Sequence, residues 1–387
     1  MPIKNRYAEL HSEITEWRRD FHAHPEILFE VHRTAARVAE LLRGFGCDEV
    51  VEGIGRTGVV GVIRGRSTKS SKVIGLRADM DALPIHEATG LDYASQTPGA
   101  MHACGHDGHT AMLLGAAKYL AETRAFDGTA VVVFQPAEEG GGGGLEMCRD
   151  GLMDRFGIQE IYGMHNMPGI PVGQFAIRPG ALLASSDEFE IVVTGKGGHA
   201  AAPHEAVDTT LVAAQILLSL QSIVSRNVNP LRRVVVTVGT FNTDSAASNV
   251  IAHEARMQGT VRTLDPDYRE YAETRVKAIA EGTAAALGAS AVVTWQPGYP
   301  VTMNTVENTG YAAEVARAIA GDVDDDVDPI MPAEDFSYML EERPGAYIFL
   351  GNGDTAMCHH PAYDFDDEAI PAGASWYSGM IEARMPL

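Results

Sequence analysis

Thr129-Ala130-Val131-Val132-Val133-Phe134 runs straight into Gln135-Pro136-Ala137-Glu138-Glu139 and then into five glycines, Gly140 to Gly144. The β-branched run has the length and composition of a buried strand. Its continuation sets two adjacent carboxylates at the carboxyl end of that strand, ahead of a backbone free to bend. Carboxylates beside an apolar core are costly unless they are paired or put to use. An arbitrary Glu-Glu pair is most often a solvated turn, so the company this pair keeps decides what it means.

Working outward, 58–64 and 73–78 read as strands, the second running into Asp79-Met80-Asp81-Ala82-Leu83-Pro84. Helical periodicity marks 9–21 and 31–44, the latter closed by Gly44 and Gly46. His102-Ala103-Cys104-Gly105-His106-Asp107-Gly108-His109 precedes a small-residue helix over 111–124. Beyond the glycines, a helix near 145–155 leads to a strand over 159–164 that ends in His165-Asn166. Strands alternating with helices predict an α/β domain: a mostly parallel sheet covered by helices on both faces. Ligands of such sheets gather at the carboxyl ends of the strands, where Asp79, Asp81, Glu138, Glu139 and His165 all fall.

The pattern changes over 184–296. Strand 188–194, helix 206–226, strands 233–241 and 254–263, helix 266–287 and strand 291–295 follow the β-α-β-β-α-β order of a ferredoxin-like unit. We read it as a domain inserted into the first, which then comprises 1–183 and 297–387. The returning segment has a helix over 306–320, an acidic run over 322–328 that reads as solvated surface, and a strand over 346–350. Glu334-Asp335 suits either a helix cap or a pocket lining, and Cys358-His359-His360-Pro361 precedes a final helix from about residue 368.

With 387 residues, 45% of them hydrophobic, the chain can bury a large core in two domains. A net charge of -22 (30 basic against 52 acidic residues) argues against nucleic acid and anionic membrane as partners. Residues 1–19 form a charged amphipathic segment without the apolar centre of a signal peptide, and no run suits a membrane span. The four cysteines, Cys47, Cys104, Cys148 and Cys358, do not form a disulfide framework in a chain this long. The expectation is a soluble, cytoplasmic protein.

The candidate ligands are Cys104, His106, Glu139, His165 and one of His359 or His360. One thiolate, three imidazoles and a carboxylate suit zinc or a similar divalent transition metal, not calcium or magnesium. A single catalytic zinc takes three protein ligands, so five fit two ions sharing a ligand. Glu138, left over beside Glu139, is placed to take a proton from an activated water and hand it to a leaving amine. Asp81 is expected to accept the second N–H of the His106 imidazole. His22, His24 and His109 read as structural, with His109 at most supporting the site. The glycine run lacks a following Lys-Ser/Thr, which excludes a phosphate loop.

Ala78-Asp79-Met80-Asp81-Ala82-Leu83-Pro84, His102 to His109, Gln135 to Gly140, Met164-His165-Asn166-Met167-Pro168 and His359-His360-Pro361 resemble the hippurate hydrolase branch of the aminoacylase/carboxypeptidase dinuclear metallopeptidases. Gly195-Lys196-Gly197-Gly198-His199-Ala200 and Glu334-Asp335-Phe336-Ser337 belong to the same pattern, which covers nearly the whole chain. The resemblance implies hydrolysis of N-acyl or N-aroyl amino acids, with dipeptidase or carboxypeptidase action, or a non-catalytic metal-binding relative, as the alternatives. It implies two divalent ions per subunit (zinc, manganese, cobalt or nickel) and an inserted domain serving as a dimerisation or lid element of a homodimer or homotetramer. Cys104 takes the bridging position, His106 and His165 the ligands of one ion, Glu139 and His359 those of the other. Glu138 takes the general base, His199 a carbonyl-polarising role across a subunit boundary, and Asn249 and Arg262 contacts to the substrate. After Asn249-Val250-Ile251 the family pattern has proline where this chain has Ala252, which is expected to alter the turn beside Asn249.

Overall fold

The structure, a computed structural model, describes residues 5–387; the first four residues of the charged segment expected over 1–19 lie outside the described residues. The chain divides into two compact units. One takes the chain to Leu182 together with Thr302–Asp328 and Asp335–Leu387; the other takes Leu183–Val301 and Pro329–Glu334.

The larger unit is built on an eight-stranded sheet. Its order is Glu49–Ile54, Gly58–Arg64, Thr129–Gln135, Val73–Asp79, Glu160–Met167, Gly345–Gly351, Phe175–Ala176 and Val323–Asp324. The four central strands, from Thr129–Gln135 to Gly345–Gly351, run parallel. The Gly58–Arg64 strand is antiparallel to both of its neighbours, and Phe175–Ala176 is antiparallel to Gly345–Gly351. Every residue of Gly345–Gly351 is buried, and all but the first of Val73–Asp79 and of Thr129–Gln135, as expected where helices cover both faces. The Glu49–Ile54 edge was not anticipated, since its mixed Glu/Val pattern carries a weak strand signal and only Ile54 is buried.

Connectivity explains where a site can form. From Val73–Asp79 the chain passes through the helix His106–Thr123 to Thr129–Gln135 on one side, then through Gly143–Arg149 and Leu152–Arg155 to Glu160–Met167 on the other. The strand order therefore reverses around Val73–Asp79, and the three strand ends open a crevice there. The helix His106–Thr123 begins five residues before the expected start because Gly105, at φ 87°, supplies a left-handed N-cap. That start puts His106 and His109 on the first helical turn, at the crevice.

Away from the crevice, Glu160 anchors the C-terminal helix Ile370–Arg384. Its carboxylate receives Arg384 at 2.8 and 3.1 Å, Lys72 at 2.9 Å and the Tyr162 hydroxyl at 2.7 Å. Burial works to raise the pKa of Glu160, but Arg384, Lys72 and Tyr162 outweigh it and hold the group at about 2. A depressed carboxylate contributes stability above its unfolded value near 4.5, and the contribution is lost as pH falls toward 2. Glu160→Gln should therefore cost about 2 kcal/mol at pH 7, allowing for screening. In urea unfolding the gap from the wild type should close between pH 5 and pH 2; a gap independent of pH would refute the assignment.

The smaller unit has a four-stranded antiparallel sheet in the order Val234–Thr243, Glu254–Thr263, Asp187–Thr194, Ser290–Pro297. Its chain order is β-α-β-β-α-β, with the helices Thr209–Ser222 and Pro266–Ala286. Phe189, Ile191 and Val193 alternate inward along one strand and meet Val212, Ile216, Val276 and Ala280 of the helices. Asp208 and Asp265 cap those helices by accepting backbone N–H groups, and Pro266 occupies the first helical turn. The inserted segment ends at Val301, five residues beyond the expected 296, and residues 329–334 join this unit.

Candidate metal centre

Each candidate ligand is carried to the crevice by a different element. His106 opens the central helix, Cys104 lies in the loop before it, Glu139 follows Thr129–Gln135, His165 ends Glu160–Met167, and His359 follows Gly345–Gly351. Cys104, His106 and His165 offer donor atoms that all lie within 4.8 Å of one another; so do Cys104, Glu139 and His359. The Cys104 sulfur belongs to both groups. Its distance to His165 Nε2 is 3.4 Å, and His359 Nε2 lies 3.3 Å from Glu139 Oε1. His360 belongs to neither group, and its Nδ1 accepts the Ala362 N–H.

The imidazoles are presented in one tautomer. His106 Nδ1 donates to the backbone carbonyl of Asp81 at 2.8 Å, and His165 Nδ1 donates to that of Asn166 at 2.6 Å. With Nδ1 engaged in this way, both rings turn Nε2 inward, the arrangement that supports a metal-ligating histidine. His106 Nε2 and Glu139 Oε1 are buried without a hydrogen-bond partner. A buried imidazole nitrogen and a buried carboxylate oxygen without hydrogen bonds, next to a thiol and two more imidazoles, fit a divalent cation of the zinc type. The electrostatics agree: burial disfavours charge on His106, yet Asp79, Asp81 and Glu139 outweigh it and hold its pKa at about 10. Carboxylates that draw a proton so strongly would draw a dication too.

The Glu138-Glu139 pair is held by its backbone. The Asp81 carboxylate accepts the Glu138 N–H at 2.9 Å and the Glu139 N–H at 3.1 Å. Asp81 meets the same His106 nitrogen with both groups, its carbonyl at 2.8 Å and its carboxylate at 3.6 Å, and that carboxylate also fixes the loop of the two glutamates. The Glu138 side chain lies with His106 and Glu139 within 4.8 Å and is only 7% exposed. Gly143 and Gly144 are not a flexible tether either. A Cβ at Gly143 would stand 1.7 Å from the Pro136 carbonyl oxygen, and one at Gly144 2.7 Å from that of Asp335. They permit close packing behind the pair. Ala137 at φ 54° and His359 at φ 68° place left-handed backbone on either side of the centre, strain of the kind found at functional sites.

Several partners escaped the sequence reading. Arg77, fully buried, donates to Asp79 at 2.7 Å, Gln135 at 2.9 Å and Asp335 at 3.0 Å. Asp335 stands at the N-cap position of Phe336–Glu342, but its side chain makes no cap bond; it accepts from Gln135 Nε2 at 2.7 Å and from the Gly144 N–H at 2.8 Å. Its signal was an arginine inside the apolar run Val73–Asp79, which only a buried carboxylate partner explains. The Cys358 thiol is in hydrogen-bond contact with Cys104, a contact that lone-cysteine reasoning overlooked. His22 stays outside these groups, paired with Asp107 at 2.8 Å and Glu87 at 3.3 Å, and His24 bonds the Asp20 carbonyl at 2.8 Å.

In the smaller unit, Val250–Ile251 pairs with Gly198–His199, which sets Asn249 beside His199; the Ala200 N–H donates to the Asn249 carbonyl at 3.0 Å. Ala252, where the family pattern has proline, is buried and its carbonyl accepts the Thr209 hydroxyl at 2.9 Å. Arg262 lies near the opposite end of Glu254–Thr263, on the order of 25 Å along the strand from that ribbon.

The sequence of this centre matches the model of peptidase family M20/M25/M40 over residues 75–383. The chain belongs to that family. Hippurate hydrolase of Campylobacter jejuni is 42% identical over 372 residues, spanning 96% of each chain. N-acetylcysteine deacetylase of Bacillus subtilis is 39% identical, covering 95% of this chain and 96% of its own. A crystal structure of a dinuclear metal-binding M20 peptidase from Bacillus subtilis superposes with a TM-score of 0.86 at 34% identity, covering 98% of this chain and 99% of that one. This M20 protein is a metal-dependent amidohydrolase. Among its described residues no helix is long and apolar enough to cross a membrane.

Proposed function

We infer that this amidohydrolase cleaves the amide bond of N-acyl or N-aroyl amino acids, with two divalent ions that Cys104, His106, His165, Glu139 and His359 would hold. The observation that carries the reading is the membership of Cys104 in two ligand groups at once, with His106 and His165 on one side and Glu139 and His359 on the other. Bound there, the ions supply Lewis acidity and lower the pKa of water. Glu138 takes the proton of the attacking water and delivers it to the leaving nitrogen. His199 accepts the Ala201 N–H on Nδ1 at 3.0 Å, which leaves its Nε2–H free to donate to the carbonyl oxygen as charge develops. Asn249 and Arg262 contact the substrate carbonyl or carboxylate.

His199 lies on the two-stranded ribbon with Val250–Ile251, and Arg262 lies near the far end of Glu254–Thr263, so we propose that a pocket using both draws them from different subunits. Exposed Leu211, Leu218, Val235 and Val292 on the same unit favour a dimerisation role for it. We therefore propose a homodimer or a tetramer built from it; a monomer in sedimentation velocity would remove that reading. The free cysteines favour the cytoplasm.

The test is a panel of hippurate, N-acetyl amino acids including N-acetylcysteine, and dipeptides, each with zinc, manganese, cobalt and nickel. Chelation should cut turnover by about 100-fold or more, with recovery on adding back metal. Acyl amino acids should be cleaved faster than dipeptides. Faster dipeptide cleavage would make the enzyme a dipeptidase instead.

A further inference from the structure

His109 lies among the ligands without being able to act as one. Its ring centroid is 4.7 Å from that of His165 and 5.5 Å from that of His106. Asp79, His106 and His109 also offer atoms within 4.8 Å of one another, which on distance alone would suggest another ion. The hydrogen bonds exclude it, because both nitrogens of His109 are already engaged.

Nδ1 of His109 lies 2.6 Å from Asp79 Oδ1. Asp79 is fully buried against the Arg77 guanidinium and is therefore an ionised acceptor, so Nδ1 must carry the proton. Nε2 lies 2.9 Å from the backbone nitrogen of Asn166, which can only donate. An N–H on Nε2 would face another N–H, so Nε2 is the acceptor and the ring is neutral. Only one tautomer satisfies both partners.

Asn166 carries the constraint onward. Its backbone follows His165 directly and its own carbonyl accepts His165 Nδ1–H at 2.6 Å. Its side-chain amide donates to the Cys104 carbonyl at 2.6 Å and accepts the Tyr363 hydroxyl at 2.7 Å. A rigid path thus runs from Arg77 through Asp79 and His109 to Asn166, and from there to the backbones of two ligands.

We propose that His109 is a positioning residue, locked as the neutral Nδ1–H tautomer between Asp79 and the Asn166 N–H, that fixes His165 and Cys104 for metal binding. The inference rests on the assignment of those two as ligands, but not on the identity of the substrate.

The experiment compares the wild type with His109→Asn, which keeps a donor toward Asp79 and loses the acceptor for Asn166, and His109→Gln, which can place an amide oxygen near the Nε2 position. Zinc and cobalt affinities are measured by competition with a chelating dye, and the visible spectrum of the cobalt-loaded protein is recorded. His109→Asn should weaken binding about 10- to 100-fold and alter the cobalt spectrum, while the melting temperature of the metal-free protein stays within a few degrees. His109→Gln should recover part of the affinity. Affinity within twofold of the wild type in a folded His109→Asn protein would overturn the proposal, as would an equal stability loss with and without metal. Imidazole nitrogen NMR on the metal-free wild type gives a second test, independent of how the variants fold: His109 should show a protonated Nδ1 and a bare Nε2, and the reverse would overturn it. A wild type that binds no metal would instead defeat the ligand assignment beneath it.

Discussion

Glu138→Ala should lower kcat by roughly 10³–10⁴-fold while the protein still binds two metal ions per subunit, the size of effect expected when a positioned proton carrier is removed. The separation of the two outcomes follows from how the pair is held. Asp81 grips the backbone N–H groups of Glu138 and Glu139, not their side chains, so truncating Glu138 leaves the loop and the Glu139 ligand where they are. Glu139→Ala should behave differently, losing metal along with activity, because it removes a donor from the group that includes Cys104 and His359. Metal content by atomic emission and turnover on the best acyl amino acid, measured together, distinguish the two. Retention of more than about a tenth of kcat in Glu138→Ala would assign proton transfer to another group.

Much of this centre could be read from local pattern. The run Thr129–Gln135 is apolar and β-branched because it is buried on both faces, and strands of that kind announce themselves. Placing His165, Glu138 and Asp81 near one another needed only the rule that parallel strands present their carboxyl ends together. What escaped has a common physical cause: it depends on partners far apart in the chain. Arg77 meets Asp335 across 258 positions, and the Asp81 carboxylate meets the Glu138 N–H across 57. Neither pairing leaves a periodic trace. Gly143 and Gly144 were misjudged for a related reason, since conformational freedom is a property of the residue, whereas close approach to the Pro136 and Asp335 carbonyls is a property of the fold. Local patterning thus located the donors but not the groups that fix their orientation.

The largest effect on stability should come from that orienting layer, at Arg77. Its guanidinium is fully buried and donates to Asp79, Gln135 and Asp335, and at 3.4 Å to the Tyr347 hydroxyl. Burial alone would raise the pKa of Asp79, but the charges of His106 and Arg77 and the hydrogen bond from His109 outweigh it and hold the group well below the ordinary carboxylate range. Arg77→Met matches the length of the side chain and leaves two buried carboxylates without this countercharge, a change that costs roughly 3–5 kcal/mol. The loss should appear in urea unfolding of the metal-free protein, which separates it from any weakening of metal binding. A depressed carboxylate contributes stability above its unfolded pKa and loses it as pH falls, so the deficit of Arg77→Met should shrink below about pH 4. Arg77→Lys restores the charge without the planar fork that reaches several acceptors, and should recover only part of the loss. A deficit under about 1 kcal/mol for Arg77→Met would mean that the carboxylates take up protons and repack at little cost. In that event the rigidity that holds Asp79 against His109 would have to come from the ligand side of the crevice and not from the arginine beneath it.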